Sequence, residues 1–104
     1  MVKSTTKISV PGFLANGISV GIKGSDQKDL ALIYSTIPAK VAAVFTKNTF
    51  KAEPLLIDEE RVKKGMAQAI ITNSGCANAA TGKDGYRDAL AVSAALSKEM
   101  KIKD

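Results

Sequence analysis

The residues whose types and spacing could support chemistry are concentrated in one stretch, residues 70–85. There an apolar run, Ile70-Ile71-Thr72, gives way to small and polar residues, and a helical pattern begins near Asp84. Small side chains let a backbone approach a ligand closely, and the start of a helix offers unpaired N–H groups with partial positive charge. The pattern therefore predicts a site for negative charge, such as a carboxylate, a phosphate or a developing oxyanion.

The same stretch also fits a simpler interpretation. Asn and Ser are common before helices because their side chains satisfy nearby backbone groups, and composition alone favours such a plain connection. The stretch has neither a GxGxxG nor a GxxxxGK[ST] pattern, so neither a dinucleotide site nor a P-loop is predicted. Cys76 lies in it, but without any histidine to act as a base we interpret this cysteine as a small loop filler.

The composition excludes several classes of site. The chain has 104 residues and no histidine, which rules out Ser-His-Asp and Cys-His systems and HExxH zinc sites within it. A single cysteine allows no internal disulfide and no cysteine-rich metal cluster, as is typical of a reducing compartment. We therefore expect no bound metal and no resident cofactor.

The net charge of +5 does not indicate nucleic-acid binding. The densest basic segment, residues 98–103, also contains Glu99, and only 5% of residues are aromatic, whereas nucleic-acid binding favours a basic stripe with interleaved aromatics. The excess charge fits a solvated face or an attraction for small anionic metabolites.

No run approaches the roughly 20 apolar residues of a membrane span. Residues 1–6 lack the apolar core of a secretory signal, so the expected location is the cytoplasm.

Alternating or continuous apolar runs predict several short strands. Asn16-Gly17 is a hairpin-type dipeptide, and residues 18–22 after it alternate apolar and small residues, as in a half-buried strand. Pro38 is expected to end the strand predicted from residue 30 onwards. The remaining predicted extended segments are residues 7–10, 30–34, 41–45, 55–57 and 67–72, with a polar turn at 24–28.

Two helices are predicted. Asp58 is a good N-cap for a helix through Lys64, with Gly65 just past its end. A longer helix is predicted over residues 84–100, where apolar residues recur on one face and acidic residues precede basic ones along the axis. Because strands that are apolar on successive residues are usually covered on both faces, we expect a single layered α/β unit.

Several motifs resemble one known family. Residues 71–82, Ile-Thr-Asn-Ser-Gly-Cys-Ala-Asn-Ala-Ala-Thr-Gly, resemble the Asn-Ser-Gly-Asn-Ala-Asn-Ala-Cys-Thr-Gly segment of the arginine-biosynthesis ornithine acetyltransferase family, also called the bifunctional glutamate N-acetyltransferase / amino-acid acetyltransferase. The chain departs from that segment at Cys76, where Asn is common, and at Ala80, where Cys is common. Further similar motifs follow the family's order at 12–17, 21–23, 29–33, 38–39 and 44–48, so that the resemblance covers about residues 8–100.

The resemblance implies a fold and an activity. The fold would be a layered mixed α/β sandwich of the N-terminal-nucleophile-like kind, shared by ornithine acetyltransferases and a group of aminopeptidases. Family members move an acetyl group from N-acetylornithine to glutamate through a threonine acetyl-enzyme, and some also use acetyl-CoA. The threonine nucleophile is freed by self-cleavage of the precursor. The family's Thr-Gly pair, here Thr81 and Gly82, forms the oxyanion hole over the acetyl carbonyl.

The resemblance also implies what must accompany this chain. The self-cleavage threonine lies downstream of Asp104, so residues 1–104 would be the N-terminal portion of the family's α-chain, inactive alone. Its partners would be the remainder of the α-chain and a β-chain from the same precursor, in an α2β2 assembly, with neither nucleic acid nor membrane involved. Two alternatives stay open: a self-processing aminopeptidase of the same architecture, and a non-catalytic module that binds a small anion.

Overall fold

The computed structural model describes residues 9–24 and 26–104. Lys7 and Ile8, the start of the first predicted extended segment, and Ser25, in the predicted polar turn, lie outside the described residues. The described chain is mixed α/β, with three strands and two helices. In chain order these are β1 (Phe13–Ile18), β2 (Leu30–Lys40), α1 (Glu53–Val62), β3 (Met66–Asn73) and α2 (Gly82–Met100).

The strands form an antiparallel sheet in the order β1-β2-β3. Strand β2 therefore lies in the middle, with Ile33 opposite Ala15 of β1 on one side and Ile70 of β3 on the other. The register between β2 and β3 shifts between Tyr34 and Ala39. Pro38, which was expected to end the strand, lies inside this irregular stretch. A proline lacks the N–H that a regular ladder requires, so the irregularity lets β2 continue past it to Lys40.

The predicted hairpin turn at Asn16-Gly17 is wrong. Both residues lie within β1, where they pair with Leu32 and Ala31 of β2. The preference of this dipeptide for turns is local, and pairing along the whole length of β1 outweighs it. The chain reverses direction later, between Ile18 and Leu30; of the strand predicted over residues 18–22, Ile18 ends β1 and residues 19–22 belong to the connection.

The middle of the chain also differs from expectation. Residues 55–57 were predicted as a strand and Asp58 as a helix N-cap, whereas all of them lie inside α1. Ala52 precedes this helix with extended backbone angles, and Pro54 occupies its first turn, where the missing N–H costs nothing. A three-residue apolar run does not distinguish a strand from a helix face. The strand predicted over residues 41–45 does not form.

Three predicted elements are confirmed: β2 contains the predicted residues 30–34, and the other two elements flank the candidate loop. Strand β3 contains the predicted residues 67–72, and α2 contains the predicted residues 84–100. The helices are joined near the end of the described chain, where the Arg61 guanidinium donates to the Ser93 hydroxyl at 3.0 Å and to the Asp104 carboxylate at 2.6 Å. None of the helices within residues 9–24 and 26–104 is long and apolar enough to span a bilayer.

Burial in the sheet is incomplete on both faces. On one face Leu32, Tyr34 and Ile71 are half-buried, whereas Leu14, opposite Tyr34, is 62% exposed. On the opposite face Phe13, Ile33 and Ile70 remain 46%, 47% and 56% exposed. Ile57 of α1 is the one fully buried apolar residue of the described chain. The sheet thus carries an exposed apolar surface formed by Phe13, Ile33 and Ile70, which we call the open face.

Candidate functional site

The candidate site is the loop of residues 74–81, which connects β3 to α2. Its far end is attached to the start of α1 by two backbone interactions. Ala79 pairs with Ala52 in an isolated antiparallel bridge, and the Glu53 N–H donates to the Asn78 carbonyl at 3.0 Å. These two interactions therefore fix the end of the loop, and with it the position at which α2 begins, relative to the start of α1.

Asn78 organises the turn into the helix. Its side-chain amide donates to the Gly85 carbonyl at 2.7 Å, and its side-chain oxygen accepts a hydrogen bond from the Thr81 hydroxyl. Gly85 is buried, and a Cβ atom built there would overlap both the Thr81 and the Asn78 side chains. A glycine at this position is therefore what allows the first turn of α2 to lie directly against the Asn78–Thr81 pair.

Thr81 and Gly82 are adjacent at the exposed start of α2, as the sequence predicts. The Thr81 hydroxyl does not cap its own helix but donates to Asn78. The Gly82 N–H donates to the Glu53 carboxylate at 3.3 Å. Both donors thus already have acceptors within the protein, although both residues remain open to solvent. A ligand oxygen can reach them only by exchanging with Asn78 and Glu53.

The electrostatics at this helix start are mixed. The first N–H groups of α2 give partial positive charge, which favours an anion. Two carboxylates lie close in the chain or in space: Glu53, bound to the Gly82 amide, and Asp84, which pairs with Arg87 at 3.5 Å. The partial positive charge of the helix start is thus already met by the Glu53 carboxylate, and the preference of this site for a ligand anion stays a prediction.

Cys76 is exposed in the middle of the loop. Its carbonyl accepts a hydrogen bond from the Asn73 side-chain amide at 3.2 Å, so the contact made by this residue belongs to its main chain. Among the described residues, no group of three His, Cys, Asp or Glu side chains could hold a metal ion. The interpretation of Cys76 as a loop filler stays a prediction.

A second residue holds the other end of the loop. Asp29, just before β2, is 2% exposed, and its carboxylate accepts hydrogen bonds from the Val20 N–H at 2.8 Å and the Lys23 N–H at 3.1 Å. The bond from Val20 is the main cause that lowers the pKa of Asp29 below its usual value of 3.8; desolvation opposes it, and further backbone bonds assist it. The Asp29 carbonyl accepts a hydrogen bond from the Ser74 N–H at 2.9 Å.

The sequence did not single out Glu53 or Asp29. A carboxylate followed by proline is a recognised signal for the first turn of a helix, and it could have placed Glu53 at a helix start. No sequence signal connects Glu53 with Gly82, since the two residues meet only through the packing of α1 against the loop. Asp29 stands in a polar stretch typical of a surface turn, and nothing in the local pattern marks it as buried.

Comparisons with known proteins agree with this architecture. The ArgJ family model matches residues 14–104. The arginine biosynthesis bifunctional protein ArgJ of Caldanaerobacter subterraneus subsp. tengcongensis is 50% identical over 99 residues, which cover 94% of this chain and 24% of that protein. The protein of the same name from Desulfotalea psychrophila is 44% identical over 96 residues, covering 92% of this chain and 24% of the relative. The chain thus spans about a quarter of the length of these relatives.

Two solved structures are similar to the described fold. The crystal structure of ArgJ from Bacillus halodurans superposes with a TM-score of 0.85 at 42% identity, over 89% of this chain and 49% of that one. An ornithine acetyltransferase from Mycobacterium tuberculosis, solved as a complex with ornithine, gives a TM-score of 0.75 at 44% identity. It is matched over 85% of this chain and 48% of its own.

Proposed function

Because the chain belongs to the ArgJ family, we propose that it is the N-terminal portion of an acetyltransferase of arginine biosynthesis. The complete enzyme moves an acetyl group from N-acetylornithine to glutamate, and acetyl-CoA serves as a second donor if the parent protein has both family activities. The lone cysteine is consistent with work in a reducing compartment such as the cytoplasm.

The observation that carries this proposal is the position of Thr81 and Gly82. They are adjacent in the chain at the exposed start of α2, next to the partial positive charge of the helix, and each donates to a different acceptor, Asn78 and Glu53. If both donors turn to one oxygen, they stabilise the negative charge that builds on a carbonyl oxygen during acyl transfer. Their role in this chain is therefore to form the oxyanion hole.

The reaction proceeds in two acyl transfers. A threonine hydroxyl from beyond residue 104 attacks the acetyl carbonyl of N-acetylornithine, whose π electrons move onto the oxygen. When they return, the C–N bond breaks, the amine of ornithine takes the proton, and an acetyl ester remains on the threonine. The amine of glutamate then attacks the ester carbonyl, the C–O bond to the threonine breaks, the threonine oxygen takes the proton from the amine, and N-acetylglutamate leaves. Thr81 and Gly82 hold the oxygen in both tetrahedral intermediates.

The contacts of this pair suggest how the hole becomes available. The Thr81 hydroxyl can rotate from Asn78 towards the acetyl oxygen, because a hydroxyl proton is free to turn about its C–O bond. The Gly82 N–H is fixed by the backbone, so the Glu53 carboxylate must withdraw from it. Glu53 occupies the resting site, and the acetyl oxygen replaces it during the reaction.

The rest of the enzyme supplies the nucleophile and covers the open face. Two features support this part of the proposal: the chain matches only 49% of the solved Bacillus halodurans chain, and large apolar side chains remain exposed on its sheet. The remainder of the α-chain and the β-chain, in an α2β2 assembly, complete the site. Residues 1–104 alone should show no transfer between N-acetylornithine and glutamate. Measurable turnover would reveal a nucleophile within this segment.

The decisive experiment is Thr81→Ala in the complete enzyme that carries this segment. Loss of one oxyanion donor should lower kcat by about 10²–10³-fold, with little change in the thermal midpoint. Thr49→Ala, at an exposed threonine in the connection before α1, is the matched control and should leave kcat unchanged. If kcat of the Thr81→Ala enzyme equals that of the wild type, Thr81 is not part of the site.

A further inference from the structure

The segment of residues 41–46, Val-Ala-Ala-Val-Phe-Thr, is apolar apart from its last residue, yet it is largely exposed. Val44 is 98% exposed, and Ala42 and Ala43 are exposed beside it. The sequence predicts a strand over residues 41–45, because valine and phenylalanine favour strands and a continuous apolar run is usually covered on both faces. In the structure the segment follows directly after β2 and has no regular secondary structure.

The main chain of this segment is held at its ends and unpaired in its middle. The Val41 N–H donates to the Gly65 carbonyl at 3.0 Å, and the Thr46 hydroxyl accepts from the Asn48 N–H at 3.1 Å. Between these contacts, the N–H and carbonyl groups of residues 42–45 form no hydrogen bond with any residue in 9–24 or 26–104. Exposed apolar side chains on an unpaired main chain are features of a strand that lacks its neighbour.

Charges at both ends of the segment restrict what that neighbour can be. Lys40 and Lys47 flank the segment and are both exposed, and neither ammonium group forms an ion pair with a described residue. Opposite charges on paired strands stabilise a sheet, whereas like charges directly opposite each other destabilise it. A strand that fits this segment is therefore apolar along a similar length and has a carboxylate near each end.

A second copy of this chain does not provide such a strand. Antiparallel pairing of the segment with itself, in the register that aligns its apolar residues, places Lys40 opposite Lys47 at both ends, which is unfavourable. The two strands at the edges of the sheet, β1 and β3, are also unsuitable, since neither residues 12–19 nor residues 65–74 contain an acidic side chain. The neighbour must therefore have a different sequence.

The relatives of this chain are longer than it is: the chain covers 24% of the Caldanaerobacter subterraneus protein and 49% of the solved Bacillus halodurans chain. We propose that residues 41–46 pair, as an added strand, with an unpaired strand edge in the part of the parent protein that lies outside residues 1–104, and that carboxylates of that strand bind Lys40 and Lys47. This inference rests on the proposed function only in taking the chain to be part of a longer enzyme.

Pairing of this kind accounts for the pattern of exposure along the segment. In a strand, Val41 and Phe45 lie on one face and Val44 lies on the other. Val41 and Phe45 are already half-buried against the described chain, so Val44 is on the face that the longer protein has yet to cover. Main-chain hydrogen bonds to the neighbouring strand supply the affinity, and the side chains on the two faces supply the specificity.

Amide hydrogen exchange in the complete enzyme tests the pairing. Every second residue of a strand bonds to a given antiparallel neighbour, so at least two of the four amides of residues 42–45 should exchange about 100-fold more slowly than in a free peptide of residues 40–50. If all four amides exchange within about 10-fold of the peptide rate, the inference is wrong.

Proline variants separate pairing from simple coverage. A proline lacks the N–H that a ladder requires, so it is severe where the N–H points at the neighbour and tolerated at the adjacent residue, whose N–H points away. We expect the thermal midpoints of the Ala42→Pro and Ala43→Pro enzymes to differ by about 5 °C or more, each variant serving as the control for the other. Equal midpoints would mean that the segment is covered without pairing, which would overturn the inference. If neither variant folds, the exchange rates of the wild type decide alone.

Zero-length coupling identifies the partner. A carbodiimide joins a lysine amine to a carboxylate as an amide only where the two groups are in contact. In the complete enzyme Lys40 or Lys47 should couple to an aspartate or glutamate outside residues 1–104. The double variant Lys40→Arg/Lys47→Arg keeps both charges, so it should lose this product and keep the thermal midpoint of the wild type. Coupling only to acids within residues 1–104, or no coupling at these two lysines, would overturn the assignment of the partner.

The proposed function is tested separately, by acetyl transfer between N-acetylornithine and glutamate. A complete protein without this activity but with slowly exchanging amides at residues 42–45 would contradict the proposed function and support the added strand. An active enzyme whose amides at these positions exchange freely would contradict the added strand alone.

Discussion

The main-chain N–H of Gly82 donates a hydrogen bond to the carboxylate of Glu53, at 3.3 Å. Gly82 is the first residue of α2 and Glu53 is the first residue of α1, so the starts of the two helices lie next to each other. The carboxylate stabilises the start of α2 by opposing its dipole, and it also occupies a donor that the proposed oxyanion hole would use. Stability and activity therefore make opposite demands on this contact.

Replacing Glu53 by alanine should separate these demands. The complete enzyme should lose about 0.3–1 kcal/mol of stability, because a negative charge is removed from the start of a helix. Its kcat/KM should rise about 2- to 10-fold, because a competing hydrogen bond of about 0.5–1.5 kcal/mol no longer has to be broken. Steady-state kinetics and denaturant unfolding measure the two effects.

Glu99→Ala provides the control, since this exposed glutamate lies at the opposite end of α2. Removing it should leave kcat/KM unchanged and should not lower stability. A fall in kcat/KM for Glu53→Ala would show that the carboxylate assists the reaction and does not compete with it.

Protonation of Asp29 at low pH should lower the free energy of unfolding. Its pKa is lowered in the folded chain, chiefly by the Val20 backbone bond, so its contribution is present above the unfolded pKa of about 3.8 and is lost as the pH falls through the lower, folded value. The free energy of unfolding of the wild type should exceed that of Asp29→Asn at pH 6, and the difference should shrink as the pH falls below about 4. Urea unfolding of both proteins, at a series of pH values on either side of the unfolded pKa of 3.8, measures this difference in the free energy of unfolding. A difference that is constant across this range would show that ionisation of Asp29 does not contribute.

The close contact at Gly75 should make that position sensitive to a single methyl group. Its φ of +97° is unfavourable for alanine, and Lys23 Cγ lies 2.6 Å from where the Cβ would be. Gly21 has a similar φ of +85° but open space around it, so Gly21→Ala carries the backbone strain without the overlap. We expect Gly75→Ala to be more destabilising than Gly21→Ala by about 1–3 kcal/mol in thermal unfolding. Equal losses would mean that the overlap is relieved without cost.

The open face should cause the 104-residue chain to self-associate. Ile33 and Ile70 are opposite each other on neighbouring strands and about half exposed, and adjacent exposed apolar residues on a sheet promote association. Ile33→Thr keeps a β-branched side chain but adds a hydroxyl, and it should shift sedimentation towards the monomer. Val44→Thr, at a valine 98% exposed outside the sheet, should not. If both variants associate as the wild type does, another surface is responsible.

The sequence predicts well those elements whose patterns are long or whose ends are marked. The helix over residues 84–100 has five turns of consistent amphipathic spacing, and α2 forms there. Strand β3 and the loop after it were located by an abrupt change from apolar to small residues. The family resemblance, confirmed by the comparisons, came from the same loop and from the order of shorter motifs.

Predictions from the sequence failed where tertiary contacts determine the local secondary structure. The Asn16-Gly17 dipeptide favours a turn, yet pairing with β2 holds it in a strand. The apolar residues 55–57 belong to a helix whose start is set by Pro54 and by the bridge between Ala52 and Ala79. Glu53 and Asp29 were missed for the same reason: each acts on residues more than 25 positions away in the chain, and no local pattern records such contacts.

Gly85 shows how a residue without a side chain can determine reactivity. Since any β-carbon there would displace Asn78 and Thr81, a substitution at this position would alter the geometry of the proposed oxyanion hole while removing neither of its donor groups. Variants that abolish turnover can therefore arise inside a helix, at a site with no functional group of its own. When an inactive natural or laboratory variant keeps Thr81 and Gly82, position 85 should be checked for a substitution.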